Sequence, residues 1–220
     1  MGNSRLRQAL GRFDKERREM IELLRLRGII DEELLRAMEK IPRHAFIQEP
    51  FINRSYDDCA LPIGHQQTIS QPYTVAFMTQ CLEPKKGKRI LEVGTGSGYQ
   101  ACILAEMGAR VFTIERHVDL LNEAGKRFEE LGYRVVSKAG DGTIGWSEYA
   151  PFDGIIVTAA APEVPEPLME QLAQYGKLVI PVGDLDIQNV EIITRTNDHY
   201  ERKAAAGFRF VPLIGKKGWK

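Results

Sequence analysis

The 220-residue sequence predicts an α/β protein built on a mostly parallel sheet. Three observations carry that reading. From Lys88 onward, short apolar runs alternate with amphipathic stretches, as expected of strands buried on both faces and joined by helices. Gly94, Gly96 and Gly98 stand directly between the first such run and the first such helix. After Gly183 the alternation stops, and two β-like runs flank Asn197-Asp198, a hairpin turn signal, so the C-terminal end is expected to be antiparallel.

The elements follow in order. Residues 4 to about 42 are expected to be helical, because Leu6, Leu10 and Phe13, and then Met20, Leu23, Leu24 and Leu26, recur at helical spacing. Asp31 is placed to cap a second helix, which Pro42 ends. Residues 43–70, with Pro50, Pro62 and Gly64, read as a mostly irregular loop, and long loops in compact domains are often functional. An apolar helix is expected over Pro72 to Leu82. Strands are expected in KRILEVG, ARVFTIE, YRVVSKAGDG, FDGIIVTAAA and KLVIPVG, and helices in YQACILAEMG, HVDLLNEAGKRFEELG and PEPLMEQLAQYG. FRFVPLIG reads as a last extended segment. The expected organisation is one domain over 1–220: a helical N-terminal region and loop (1–70), a ligand-binding α/β core (71–183) and a C-terminal β region (184–220).

Bulk composition narrows the function classes. A formal net charge of +0 argues against partners bound by basic excess, so neither nucleic acid nor a membrane surface is expected. Cys59, Cys81 and Cys102 match no zinc spacing and suit free thiols in a reducing compartment. The N-terminal stretch is charged throughout, without the apolar centre of a signal peptide, so the expected location is cytoplasmic. His44, His65, His117 and His199 are scattered, and no metal site is expected.

LEVGTGSGYQ places its glycines where the backbone turns sharply and approaches a ligand closely. Glu115 ends the next strand, where a carboxylate can accept both hydroxyl hydrogens of a ribose. The spacing is G-x-G-x-G rather than the dinucleotide G-x-G-x-x-G, and no Walker lysine follows. Glu92, at the end of the first strand, would repel a pyrophosphate but suits an ammonium or sulfonium group. Together these residues point to S-adenosylmethionine rather than NAD. Asp141-Gly142 ends the third strand, and Asp141 is expected to accept a hydrogen bond from the adenine amino group.

The fourth strand ends in Thr158-Ala159-Ala160-Ala161-Pro162, which offers no carboxylate and no amide clamp for an amino-group acceptor. An acceptor that is already an anion needs no general base, only alignment and exclusion of water. That favours a carboxylate acceptor. Ser70, just before Pro72, reads locally as a helix N-cap. It lies in no nucleophile elbow, and a hydroxyl at a helix start is also suited to hold an anion.

LPIGHQQTISQPYTVAFMTQCL, ILEVGTGSGYQACILAEMG, VFTIER, GDG, PFDGIIVTAAAPEVPEPLMEQL, GKLVIPVG and FVPLIGKKGW resemble, in order, the protein-L-isoaspartate O-methyltransferases. The TISQP and TAAAP segments are specific to that family, whereas the glycine motif is common to all class I methyltransferases. The resemblance implies a Rossmann-like class I methyltransferase sheet with rearranged last strands. It implies methyl transfer from S-adenosyl-L-methionine, leaving S-adenosyl-L-homocysteine, to the free α-carboxylate of L-isoaspartyl residues in damaged proteins and peptides. The ester returns to a succinimide and then partly to normal aspartate, a repair cycle run by a monomer. By the same resemblance Thr68, Ile69, Ser70, Gly94, Thr95, Gly96, Ser97, Gly98, Glu115, Asp141 and Gly142 contact the cofactor, joining Glu92. Ser70 is the active-site residue, and Gln67, Thr68, Ser70 and Val211 meet the substrate. Gln66, Val75 and Ile214 depart from some relatives, where Gly, His and Thr stand, and suggest a bacterial or archaeal type. Two competing readings are a methyltransferase for RNA or a small molecule, which would need a basic face or an amino-group clamp, and an NAD-dependent protein, which the glycine spacing and Glu92 disfavour.

Overall fold

The computed structural model describes residues 12–220. The first part of the expected N-terminal helix, with Leu6 and Leu10, lies outside the described residues. Helix α1 spans Asp14–Leu26 and α2 spans Glu32–Lys40. Met20, Ile21 and Leu24 of α1 and Leu34, Leu35 and Met38 of α2 form buried stripes at three- and four-residue spacing. Asp31 caps α2 as expected, its carboxylate accepting from the amides of Glu33 (3.0 Å) and Leu34 (3.1 Å). The loop expected over 43–70 is more structured than its sequence suggests. It holds two 3₁₀ turns, Arg43–Phe46 and Glu49–Arg54, and an antiparallel hairpin of β1 (Leu61–Gly64) and β2 (Gln67–Ile69). His65 and Gln66 turn the hairpin with positive φ, so two side-chain-bearing residues occupy positions that normally call for glycine.

Helix α3, Pro72–Leu82, has the expected bounds and buries most of its residues, because it lies between α1 and α2 on one side and the sheet on the other. The sheet consists of β3 (Arg89–Val93), β4 (Arg110–Glu115), β5 (Val135–Ala139), β6 (Phe152–Val157), β7 (Leu172–Gly183), β8 (Gln188–Arg195) and β9 (Tyr200–Phe208), in the order β5-β4-β3-β6-β7-β8-β9. β5 to β7 run parallel, and β8 and β9 each pair antiparallel to the preceding strand. Alternate residues feed two cores. Ile90, Val111, Ile156 and Val179 face α1–α3, α4 (Tyr99–Glu106) and α5 (Val118–Leu131). Leu91, Phe112, Ile155 and Leu178 face Trp146, Leu168 and Leu213, which belong to loops and to the single turn α6 (Glu166–Glu170).

The helix expected over PEPLMEQLAQYG therefore ends after five residues. Tertiary contacts override its propensity. The Gln171 side chain is held by the Trp146 amide (2.7 Å) and the Ile144 carbonyl (3.0 Å), and its own carbonyl accepts from the Phe152 amide (2.8 Å). Leu172 is thereby drawn into β7 beside Phe152. The hairpin expected around Asn197-Asp198 is present, closed by the Thr196 amide on the His199 carbonyl (2.8 Å). Beyond β9 the chain returns over the ends of the parallel strands. The Ala160 amide donates to Val211 (2.8 Å), and the Leu213 amide to Ala160 (2.7 Å).

Candidate active site

Three adjoining cavities open at the C-terminal ends of β3, β4 and β6, where neighbouring crossovers leave β3 in opposite directions. Open α/β sheets form ligand crevices at that place. Thr68 and Thr158 line all three cavities.

The first chamber lies between Thr68–Ser70, the Gly94–Ser97 loop and the side chains of α3 and α4. Gly94 has φ +97°, and a Cβ there would stand 2.4 Å from Thr158 Oγ1. The Thr158 hydroxyl instead donates to the Gly94 carbonyl at 2.7 Å, tying the loop to the end of β6. Glu92 is fully buried and lines this chamber. Its Oε2 accepts from Thr113 Oγ1 (2.5 Å), which lies 2.6 Å from Thr95 Oγ1, while Oε1 has no partner among the described residues. Burial pushes its pKa up to about 8, against the opposing hydrogen bond from Thr113. A cation entering the chamber would therefore meet an acceptor that is short of one partner.

The second chamber lies between Glu115, Arg116, Gly140, Gly142 and the returning segment Val211–Ile214. Glu115 is buried, and its two oxygens accept from the amides of Gly96 and His117, each at 2.9 Å. A carboxylate has about four acceptor positions, so capacity remains for ribose hydroxyls. The third cavity is a groove reaching the first chamber through Ser70, Thr74 and Phe210, with Gln71 and residues 207–211 along its sides.

Most expected site residues converge here. Thr68, Ile69, Ser70, Glu92, Gly94, Thr95, Gly96 and Ser97 line the first chamber, and Gly94, Gly96, Glu115 and Gly142 the second. Four of them have surroundings that the sequence does not announce. Gly98 lines neither chamber; it starts α4 with φ +90°, where a Cβ would stand 2.8 Å from Phe128, so it serves close packing. The Asp141 carboxylate is turned to the C-terminal loop and lines no chamber. It accepts from the Thr143 amide (2.9 Å) and hydroxyl (2.7 Å) and the Lys216 amide (2.8 Å), bonds that hold it below the usual carboxylate range despite the desolvation opposing them. Gln67 lines the second chamber and not the groove, whereas Val211 lines both.

Ser70 is not the cap of α3. Gln71 holds that position, with no side-chain cap bond, and Asp58 accepts from the Tyr73 amide at 2.8 Å. The Val75 amide is taken by the Gln71 carbonyl, and Pro72 has no N–H. The start of α3 is thus occupied by a carboxylate of the protein itself, which makes it a poor receptor for another anion. Ser70 lines both the first chamber and the groove. Sequence reasoning missed Thr158, Phe210, Tyr99 and Gln100 as lining residues, and Arg43 behind the Ser70 backbone. The signals available were a threonine directly after a buried strand and an Arg-His pair inside the largely apolar IPRHAF. Val75 and Ile214, the noted departures, line the first and second chambers respectively.

Comparison with known proteins shows the family. The family model described as protein-L-isoaspartate(D-aspartate) O-methyltransferase matches residues 15–218. A protein-L-isoaspartate O-methyltransferase of Dictyoglomus thermophilum is 50% identical over 209 residues, covering 94% of this chain and 95% of that one. Another, from Chlorobium luteolum, is 51% identical over 209 residues, covering 94% of each. Among solved structures, a protein-L-isoaspartate O-methyltransferase superposes with a TM-score of 0.82 at 27% identity, covering 92% of this chain and 67% of that one. A Plasmodium falciparum protein in complex with S-adenosyl-L-homocysteine, described as a putative member of the same family, superposes with a TM-score of 0.78 at 29% identity, covering 89% and 97%. With its cavities at the switch point of the sheet and its match running from α1 to the C-terminal loop, the chain belongs to the protein-L-isoaspartate(D-aspartate) O-methyltransferase family.

Proposed function

We infer that this protein repairs damaged proteins by methylating the free α-carboxylate of L-isoaspartyl residues. The carrying observation is the convergence of the three cavities on Thr68 and Thr158. Two chambers suit the two halves of S-adenosylmethionine, and the groove admits an acceptor to their junction. The unpartnered Glu92 Oε1 fits the cofactor's ammonium, and Glu115 fits its ribose. Bound S-adenosylmethionine supplies an electrophilic methyl group. The protein's part is to hold, align and dry the reacting groups.

The groove lining supports an acceptor that is already ionised. Among the described residues it contains no His, Asp, Glu or Lys, and Arg209 is the charged residue there. A carboxylate needs no general base, and Arg209 at the groove favours the approach of an anion. Ser70, between groove and first chamber, orients that carboxylate through its hydroxyl and forms no covalent bond. Thr68, Gln71 and Val211 guide the peptide past it. The product ester collapses to a succinimide that hydrolyses partly to normal aspartate. The described residues contain no helix long and apolar enough to cross a membrane, and the three cysteines are free thiols. We read the protein as a cytoplasmic enzyme acting as a monomer on isoaspartyl proteins and peptides, with neither nucleic acid nor membrane as partner; free thiols suit a reducing compartment.

Labelled methyl transfer to an isoaspartyl peptide, beside the same peptide with normal aspartate, tests this function. Label is expected on the first only, as a base-labile ester; equal labelling of both contradicts it. Ser70→Ala should cut transfer at least about tenfold, the scale of a hydrogen bond to a charged group, with S-adenosylhomocysteine affinity nearly unchanged.

A further inference from the structure

The cofactor's methionine half carries a carboxylate as well as an ammonium. Glu92 answers the ammonium, whereas at the start of α3 Asp58 already holds the Tyr73 amide and the Gln71 carbonyl holds the Val75 amide. A cation lies behind the same wall. Arg43 is fully buried, donates Nη2 to the Ser70 carbonyl and Nε to the Ser55 carbonyl, each at 2.8 Å, and stacks 4.9 Å from the centre of the Tyr99 ring. Among the described residues no carboxylate forms an ion pair with it, and its nearest ionisable neighbours include Tyr99, Cys59 and Tyr56. A buried cation without a counter-charge is costly unless something anionic binds nearby. Arg43 Nη1 and the Tyr99 hydroxyl are neighbours that act on each other, yet neither reaches full hydrogen-bond geometry with any of the described residues. Tyr99 itself lines the first chamber, while Arg43 does not.

We propose that Arg43 and Tyr99 form an anion-receiving wall of the first chamber, in which the Tyr99 hydroxyl donates to the cofactor's methionine carboxylate and the Arg43 guanidinium behind it supplies the counter-charge. Arg43 acts through Tyr99 and is a positioning residue. Its bond to the Ser70 carbonyl gives it a second effect: one guanidinium answers the cofactor's anion and fixes the backbone of the residue that faces the acceptor. The proposal rests on the methionine half occupying the first chamber.

The test compares S-adenosylhomocysteine with its decarboxylated analogue, 5′-deoxy-5′-(3-aminopropylthio)adenosine, by calorimetry. Wild type should prefer the first. Tyr99→Phe and Arg43→Met should each weaken S-adenosylhomocysteine about tenfold or more, the scale of a charge-assisted hydrogen bond, and shift the analogue by less than about twofold. Parallel weakening of both ligands would mark Arg43 and Tyr99 as structural only and overturn the proposal. Tyr99→Phe removes one oxygen and keeps the ring, so it reports even where Arg43→Met unfolds. Glu92→Gln provides the control for the chamber, because both ligands carry the ammonium and both should weaken. A wild type indifferent to the carboxylate, together with a silent Glu92→Gln, would remove the methionine half from this chamber and the wall with it.

Discussion

Replacing Glu92 with glutamine keeps the size of a fully buried side chain and removes its titration. In the folded protein burial raises the Glu92 pKa from its usual 4.5 to about 8. Between those values the native state holds a proton that the unfolded chain has released, so wild-type stability falls as pH rises through this window. The gap of ~3.5 units, at 1.36 kcal/mol per unit, amounts to about 5 kcal/mol by pH 8. The glutamine variant lacks this loss. Denaturant titrations of both proteins from pH 5 to pH 8 should give unfolding free energies that diverge steadily, with the variant gaining on wild type. Saturating S-adenosylhomocysteine should shrink the divergence, because its ammonium stabilises the ionised carboxylate. Its binding near pH 7 should also release a proton from wild type and none from the variant. A stability difference that stays constant across the window would mean that Glu92 is ionised in the empty chamber, and the electrostatic argument would fall.

Asp141→Asn should lower the melting temperature by loosening residues 213–219, while discrimination between S-adenosylhomocysteine and its inosine counterpart stays as in wild type; altered discrimination would make Asp141 an adenine ligand. Asp58→Ala removes the acceptor of the Tyr73 amide and should cost about 1 kcal/mol in a denaturant titration, the usual worth of a helix cap. Gly94→Ala adds a Cβ 2.4 Å from Thr158 Oγ1 at φ +97°, and should destabilise the loop by about 1–3 kcal/mol and abolish measurable cofactor binding; a variant that binds normally would contradict the tie between Gly94 and Thr158.

The sheet was legible because its strands are buried on both faces. Runs such as ILEV and FTIE admit no other placement once glycine turns and helices separate them. The glycine loop and Glu115 were legible because their chemistry depends on position along the chain. Roles set by the third dimension were not. Nothing near Asp141 says that Lys216, 75 residues away, takes its oxygen. Ser70 looks like a cap until Asp58 is seen to hold the Tyr73 amide from an earlier loop. The short α6 ends where Gln171 is caught by the Trp146 loop, which no local propensity encodes. Arg43 stands out in sequence only as a cation among apolar residues, and its two carbonyl partners come from separate loops.

The central claim is that the two chambers and the groove meet at Thr68 and Thr158, so that cofactor sulfur and substrate carboxylate face each other there. A crystal structure with S-adenosylhomocysteine and an isoaspartyl peptide measures this directly. The account predicts the adenosine against Glu115, the ammonium against Glu92, and the isoaspartyl α-carboxylate beside Ser70 in line with the sulfur. A peptide carboxylate held elsewhere, away from Ser70 and out of line with the sulfur, would contradict it.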